Sequence, residues 1–293
     1  MSPGHLVRRA GEAAYSAPVD GFARWPVVGE HAGAVHTGFG LCRLEPGGSV
    51  PTHLHSYEES VYVVDGSVVL QTGDGATRLG PGDYGVIPVG VVHSWRNESS
   101  EPARWADMLA PAPRSRYDDD TVLVTQLPQA TAEPVDVRDP RNRRFGNITA
   151  AHMDVEKQGQ DQLAVTASMR TALLVYGGIT VKMMVDSDLG ARLSTMFMVE
   201  YAPDGGTGPH DHPFEETYYF LEGSALATFD GEEYELGAGD VAWAGVGCMH
   251  SFRNLGRGRL AWLETQAPQP PGRHSYRFVR DWDYLRDAIR KET

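Results

Sequence analysis

The sequence predicts an all-β protein built as two tandem barrels, and three observations carry that expectation. Short runs rich in Val, Leu, Tyr, Phe and Thr, such as Ser60–Val64, Ser67–Gln71 and Glu216–Leu221, alternate with turn formers drawn from 33 Gly and 19 Pro. That is the texture of antiparallel strands joined by tight turns. A chain of 293 residues, 41% of them hydrophobic, is long enough to bury a core in each of two domains. The third observation is an ungapped internal repeat.

Displaced by about 157 residues, the distance from His53 to His210, the chain falls on itself. His55 meets His212, Glu59 meets Glu216, Gly66 meets Gly223, and His93 meets His250. The register also holds for Gly82 and Gly239, Asp83 and Asp240, Gly90 and Gly247, and Asn97 and Asn254. Each repeat reads as one barrel, which divides the chain into an N-terminal barrel over 1–110, a connecting segment over 111–167 and a C-terminal barrel over 168–293. The connecting segment is rich in turn formers and poor in periodicity, with room for a strand or short helix. Asp118–Asp120 within it reads as a solvated surface. At the end of the chain, Trp282, Leu285 and Ile289 are spaced for one face of an amphipathic helix.

Composition narrows the function. A formal net charge of -13 and a pI near 5.2 oppose binding to phosphate backbones or anionic lipid, so neither nucleic acid nor membrane partners are expected. There is no signal-peptide pattern and no spanning segment of about 20 apolar residues. Only Cys42 and Cys248 are present, too few for a disulfide framework and consistent with a reducing compartment. A cytoplasmic protein acting on a small molecule is the resulting expectation. Barrel edge strands need cover, which leaves room for a homo-oligomer.

The repeated residues are the chemical signal. His53 and His55 lie two apart, so on a strand both project from one face. Glu59 joins them after a bend, and His93 arrives from a later strand. His210, His212, Glu216 and His250 form the second set. Three imidazoles and one carboxylate suit a divalent Fe, Mn, Ni, Cu, Co or Zn ion and leave coordination positions open, for up to two ions per chain. By parity Trp95 and Phe252 share the inward face of His93 and His250, as walls of an apolar pocket or as core filling. Arg43 on the strand before the first motif, matched by Glu200, is a candidate partner for an anionic substrate. Cys248 and Met183, Met184, Met196 and Met198 read first as buried packing. Glu58 and Glu215, each beside a candidate ligand, sit with outward parity.

These residues resemble the two signature motifs of the cupin superfamily. The first repeat fits both motifs: Gly47, His53, His55, Glu59 and Gly66, then Gly82, Pro88, Gly90, His93 and Asn97. The second departs at Asp204, where the leading glycine is usual, and at Gly245 in place of the proline. The resemblance implies a jelly-roll bicupin, to which the amphipathic spacing at the end of the chain adds a C-terminal helix. It also implies a metal-dependent oxygenase, similar to bicupin dioxygenases, acting on a small aromatic or enolisable substrate, with Glu59 or Glu216 as ligand and base. The alternatives it leaves open are a decarboxylase or a ureidoglycine aminohydrolase-like lyase or hydrolase, and a non-catalytic bicupin that binds a small molecule.

Overall fold

The computed structural model describes residues 4–136, 144–154, 171–173, 178–269 and 277–278. The amphipathic segment holding Trp282, Leu285 and Ile289 lies outside them. Four sheets build the described chain, two for each repeat. In the first repeat, one sheet runs Phe145–Asn147, Asp83–Ile87, Glu58–Asp65, Ala103–Ala110, Gly38–Leu44, Phe22–Val28. Its partner runs Thr121–Leu123, Ser49–His55, His93–Arg96, Val68–Thr72, Gly75–Leu79, Ala132–Pro134. The second repeat copies this with Val241–Ala244, Glu215–Glu222, Leu260–Ala267, Thr195–Tyr201 and Ile179–Val185 in one sheet, and Glu232–Gly237, Ser224–Phe229, His250–Asn254 and His210–Asp211 in the other.

The interiors follow from strand alternation. Leu44, Val61, Val63, Val68, Leu70, Leu79, Trp95 and Trp105 fill the first barrel. Tyr201, Tyr218, Phe220, Phe229, Phe252 and Trp262 fill the second. Gly66 and Gly223 close the motif strands at φ of 70° and 82°. A Cβ there would stand 2.2 Å from the Pro102 carbonyl oxygen and 2.6 Å from that of Arg259, so both positive φ and backbone approach demand glycine.

Segments outside the repeats complete the sheets. The strand His5–Arg8 crosses to the second barrel and pairs antiparallel with Val241–Ala244. The connecting segment gives the first barrel three strands, Thr121–Leu123, Ala132–Pro134 and Phe145–Asn147. Each covers an edge whose N–H and C=O groups would otherwise lie unpaired, an incentive that outweighs the poor periodicity of these stretches.

The barrels share an apolar seam in which Trp25, Val27, Phe39 and Met108 meet Met184, Met196, Met198, Trp243 and Leu263. Two carboxylates fasten it reciprocally. Glu58, buried, accepts the backbone N–H groups of Arg192, Leu193 and Ser194 at 2.7–3.3 Å, and the Ser194 hydroxyl at 2.7 Å. Glu215 accepts those of Val35, His36 and Thr37 at 2.9–3.1 Å. Donors and acceptors obey the same displacement as the motifs, so the two repeats are related by an approximate two-fold exchange of latches. Outward parity carries Glu58 and Glu215 away from their own barrels and into the facing one.

Candidate metal centres

In the first barrel, His53 pairs across the sheet with His93, and Thr121 and Leu123 of the connecting segment flank His55 and His53 on the other side. Candidate ligand atoms of His53, His55 and His93 lie within 4.8 Å of one another, and all three residues are buried. Glu59 joins from the neighbouring sheet: its Oε2 is 3.0 Å from His55 Nε2 and 3.6 Å from His93 Nε2. The second barrel brings His210, His212 and His250 together within the same limit. There Glu216 Oε2 lies 3.3 Å from His212 Nε2 and 3.2 Å from His250 Nε2.

The imidazoles are oriented by the backbone. Nδ1 of His53, His55 and His93 faces the carbonyls of Pro51, Tyr57 and Val91 at 2.7, 2.7 and 2.9 Å. His210 and His250 face Gly208 and Cys248 in the same way, at 2.8 and 3.0 Å. An Nδ1–H donated to a carbonyl leaves the Nε2 lone pair pointing at the centre, the tautomer a metal requires. His93 Nε2 is buried and has no hydrogen-bond partner among the described residues, an arrangement that a cation resolves. Both donor sets therefore fit a divalent transition metal and can hold one ion each.

Electrostatics prepares the same state. Burial pushes the Glu59 carboxyl up, but the His55 and His93 imidazoles beside it outweigh burial and hold the group well below its ordinary value. Glu216 is likewise lowered against burial by His212, His250 and the Tyr218 hydroxyl. Burial, reinforced by His250, drops His210 to about 3. Burial, reinforced by His93, lowers His53.

What surrounds the two sets differs. A cavity of about 620 Å³ opens onto His53 and Glu59, walled by Phe22, Val50, Trp95, Trp105 and Leu109. Inside it, Arg24 Nε and Nη2 each donate to Asp107 at 2.7 Å, and the Cys42 thiol donates to Asp107 at 3.2 Å. Burial pulls the Arg24 guanidinium down, yet Asp107 keeps it above its usual value. Asp118 and Asp119 line the cavity, while Asp120 pairs with Arg114.

In the second barrel the corresponding space holds side chains. The Tyr218 hydroxyl donates to Glu216 at 2.5 Å and lies 3.0 Å from His250 Nε2. Gln266 Nε2 donates to Glu216 at 2.6 Å and the Trp262 indole to Glu264 at 2.9 Å. Glu264 takes the place of Asp107, with Val181 where Arg24 would stand. Burial and the Glu216 charge push Glu264 well above its ordinary value.

The predicted residues separate accordingly. All eight candidate ligands converge in two sets. Trp95 lines the cavity and stacks on Trp105 at 5.1 Å. Phe252 instead packs among Tyr218 at 4.7 Å, Trp262 at 5.2 Å and Phe229 at 5.7 Å. Arg43 is not a pocket residue: it is half exposed and pairs with Glu45 at 2.7 Å, because its neighbour Cys42 takes the inward parity. Arg24, Asp107, Tyr218 and Glu264 were missed. Carrying the repeat comparison to the positions between and before the signature residues would have found them, since Val61 stands against Tyr218 and Arg24 against Val181.

Comparison with known proteins supports this picture. The cupin domain model matches twice, over residues 40–109 and 197–265. Quercetin 2,3-dioxygenase of Bacillus subtilis (strain 168) is 26% identical over 228 residues, which span 71% of this chain and 66% of that protein. The tetracenomycin polyketide synthase protein TcmJ of Streptomyces glaucescens is 27% identical over 123 residues, 39% of this chain and 83% of its own. The oxalate decarboxylase of Lactobacillus farciminis, solved with formate, superposes with a TM-score of 0.66 at 17% identity, covering 94% of this chain and 89% of that one. At that identity the likeness is one of fold. Among the described residues no helix is long and apolar enough to cross a membrane. The chain is a bicupin, with two cupin domains in tandem and a histidine-rich set able to hold metal in each.

Proposed function

We propose that the first barrel is the reaction centre of an oxygenase acting on a small aromatic or enolisable substrate, with His53, His55, Glu59 and His93 as its metal ligands. The observation that carries this reading is the 620 Å³ cavity, which reaches His53 and Glu59 between Trp95, Trp105 and Phe22. Its size falls within the roughly 300–1,000 Å³ of small-molecule sites. It is oversized for a dicarboxylate as small as oxalate and suits a ring system that can lie against indole faces. A relative named for quercetin, a polyphenol, and one named for a polyketide pathway favour an oxygenated, enolisable ring.

A bound divalent ion supplies Lewis acidity and, where it is redox-active, one-electron chemistry. The chain supplies the rest. Trp95 and Trp105 hold an aromatic substrate and exclude water from it. Glu59, kept anionic by His55 and His93, can accept a proton from a substrate hydroxyl at Oε2. Arg24, balanced by Asp107, offers a positive edge to the anion so formed. The second set, His210, His212, Glu216 and His250, is proposed to hold its metal in a mainly structural role, since Tyr218 covers Glu216 and His250. Glu58 and Glu215 are unsuited to the mobile acid of a decarboxylase, because each is buried and saturated by backbone donors.

The test begins with elemental analysis of the purified protein, followed by oxygen uptake after loading with Fe, Mn, Ni, Co or Cu. Uptake with flavonols or other enolisable aromatics, and none with oxalate, is the expected result. Carbon dioxide release from oxalate without oxygen uptake would overturn the oxygenase reading.

A further inference from the structure

We propose that His5, Asp230 and Cys248 form a third cation site, distinct from the two cupin centres, which clamps the N-terminal strand onto the second barrel. A ligand atom from each lies within 4.8 Å of the other two. Imidazole, carboxylate and thiolate together suit a borderline-soft divalent ion of the zinc class, whose bonds to such donors run about 2.0–2.3 Å. Small closing movements of the side chains bring three such donors onto one ion.

Each residue has an atom to spare. His5 is 8% exposed, with its ring stacked on Phe229 at 5.5 Å. Its Nε2 is engaged by the Tyr234 hydroxyl at 2.9 Å, whereas Nδ1 is buried with no hydrogen-bond partner among the described residues. An orphaned imidazole nitrogen in such a position is costly unless something meets it. Asp230 uses Oδ1 to accept the Met249 N–H at 2.9 Å. Its Oδ2 points to Gly4, where a Cβ would stand only 2.4 Å away, so the carboxylate comes this close to the N-terminal strand because residue 4 lacks a side chain. Cys248 is 3% exposed, and its thiol faces the Asp230 carboxylate.

The constellation is not a by-product of the repeat. At the matching positions of the first barrel stand Gly73 and Val91, which ligate nothing, and His5 precedes the repeat altogether. Its location explains a purpose. His5 opens the strand paired with Val241–Ala244, and the Cys248 carbonyl orients His250. A cation here ties the crossing strand, the hairpin turn at Asp230 and the loop entering the second centre into one unit.

Cobalt loading of the full-length protein tests this, because a cysteine thiolate bound to Co2+ gives a near-ultraviolet sulfur-to-metal band that histidine and carboxylate ligands do not. The wild-type protein, stripped with chelator and reloaded, is expected to show the band. Cys248→Ser should abolish it and bind one ion fewer per chain. Asp230→Asn, at an exposed position where the polar side chain keeps the turn, should also lose that ion, while Cys42→Ser should keep the band. Absence of the band in the wild-type protein, its survival in Cys248→Ser, or its loss in Cys42→Ser instead would overturn the proposal.

Discussion

The two barrels present the same donors in different surroundings. Around the first set stand Val61, Thr72 and Trp95, and a cavity remains. At the matching positions of the second stand Tyr218, Phe229 and Phe252, packed ring against ring at 4.7–6.0 Å. The buried carboxylates diverge as well. Asp107 forms a two-bond ion pair with Arg24, whereas Glu264 pairs with no cation among the described residues and is pushed toward its protonated form by burial and by Glu216. A duplicated ligand set therefore does not imply duplicated chemistry: access is decided by residues two positions along the chain from the ligands, where a valine leaves room and a tyrosine removes it.

Removing a ligand tests that contrast most strongly. His55→Ala should empty the first centre and depress turnover by more than about 100-fold, beyond the 10–100-fold typical of outer-shell partners. His212→Ala should empty the second centre alone and leave turnover within a few-fold. Metal content per chain and oxygen uptake, measured on both variants, check this. Equal losses of turnover would make both barrels catalytic and break the comparison.

Exchanging the inward aromatics sharpens it. Trp95→Ala removes a side chain that is 3% exposed and stacked on Trp105, and should cost about 3–5 kcal/mol. Trp95→Phe, which installs the residue present at 252, should retain most of that stability and shift substrate preference toward larger rings. The reverse change, Phe252→Trp, enters a filled cluster and should cost about 1–3 kcal/mol by overpacking. Denaturant titration reports all three, and a neutral Phe252→Trp would show unfilled space in the second barrel.

Much of this architecture was legible in the sequence, and the reasons are physical. His53, His55, Glu59 and His93 are fixed in spacing by the strand period and by the geometry of one ion, so their pattern repeats without gaps. Strand parity also placed Glu58 and Glu215 outside their own barrels. It did not reveal the latch, because their partners are mainly backbone N–H groups, which any residue but proline at 35–37 or 192–194 supplies. The crossing of His5–Arg8 was hidden for a similar reason: edge pairing needs an extended backbone and carries little side-chain signature. Parity sent Phe252 inward correctly, but parity alone does not distinguish a pocket wall from a core contact. That distinction lies in Tyr218, a residue between the signature positions Glu216 and Gly223.

Breaking the Arg24–Asp107 pair probes the first cavity from within. Arg24→Met leaves Asp107 buried without its cation, and the cost should be about 3 kcal/mol. That is the lower end of the roughly 3–5 kcal/mol for a broken buried pair, since the guanidinium side chain is 24% exposed. Arg24→Met combined with Asp107→Leu should recover most of the loss. A double variant as unstable as the single one would place the cost in packing rather than in charge.

The smallest expected effect concerns the opposite carboxylate. Burial and the Glu216 charge raise Glu264 in the folded, metal-free protein above its unfolded value of 4.5. Between that value and the folded one, the native state binds a proton that the unfolded chain has released. Stability contributed by this group is therefore fully present below about pH 4.5 and declines as pH rises, with a slope no steeper than about 1.4 kcal/mol per unit. Glu264→Gln keeps the shape, accepts from the Trp262 indole and cannot ionise, so its Tm should exceed that of the wild-type protein by a margin that grows from pH 5 toward neutrality. Asp107→Asn, beside Arg24, should do the reverse and lose stability at neutral pH, because it abandons a guanidinium to burial. Parallel pH profiles for the two variants would show that the barrels treat their inward carboxylates alike.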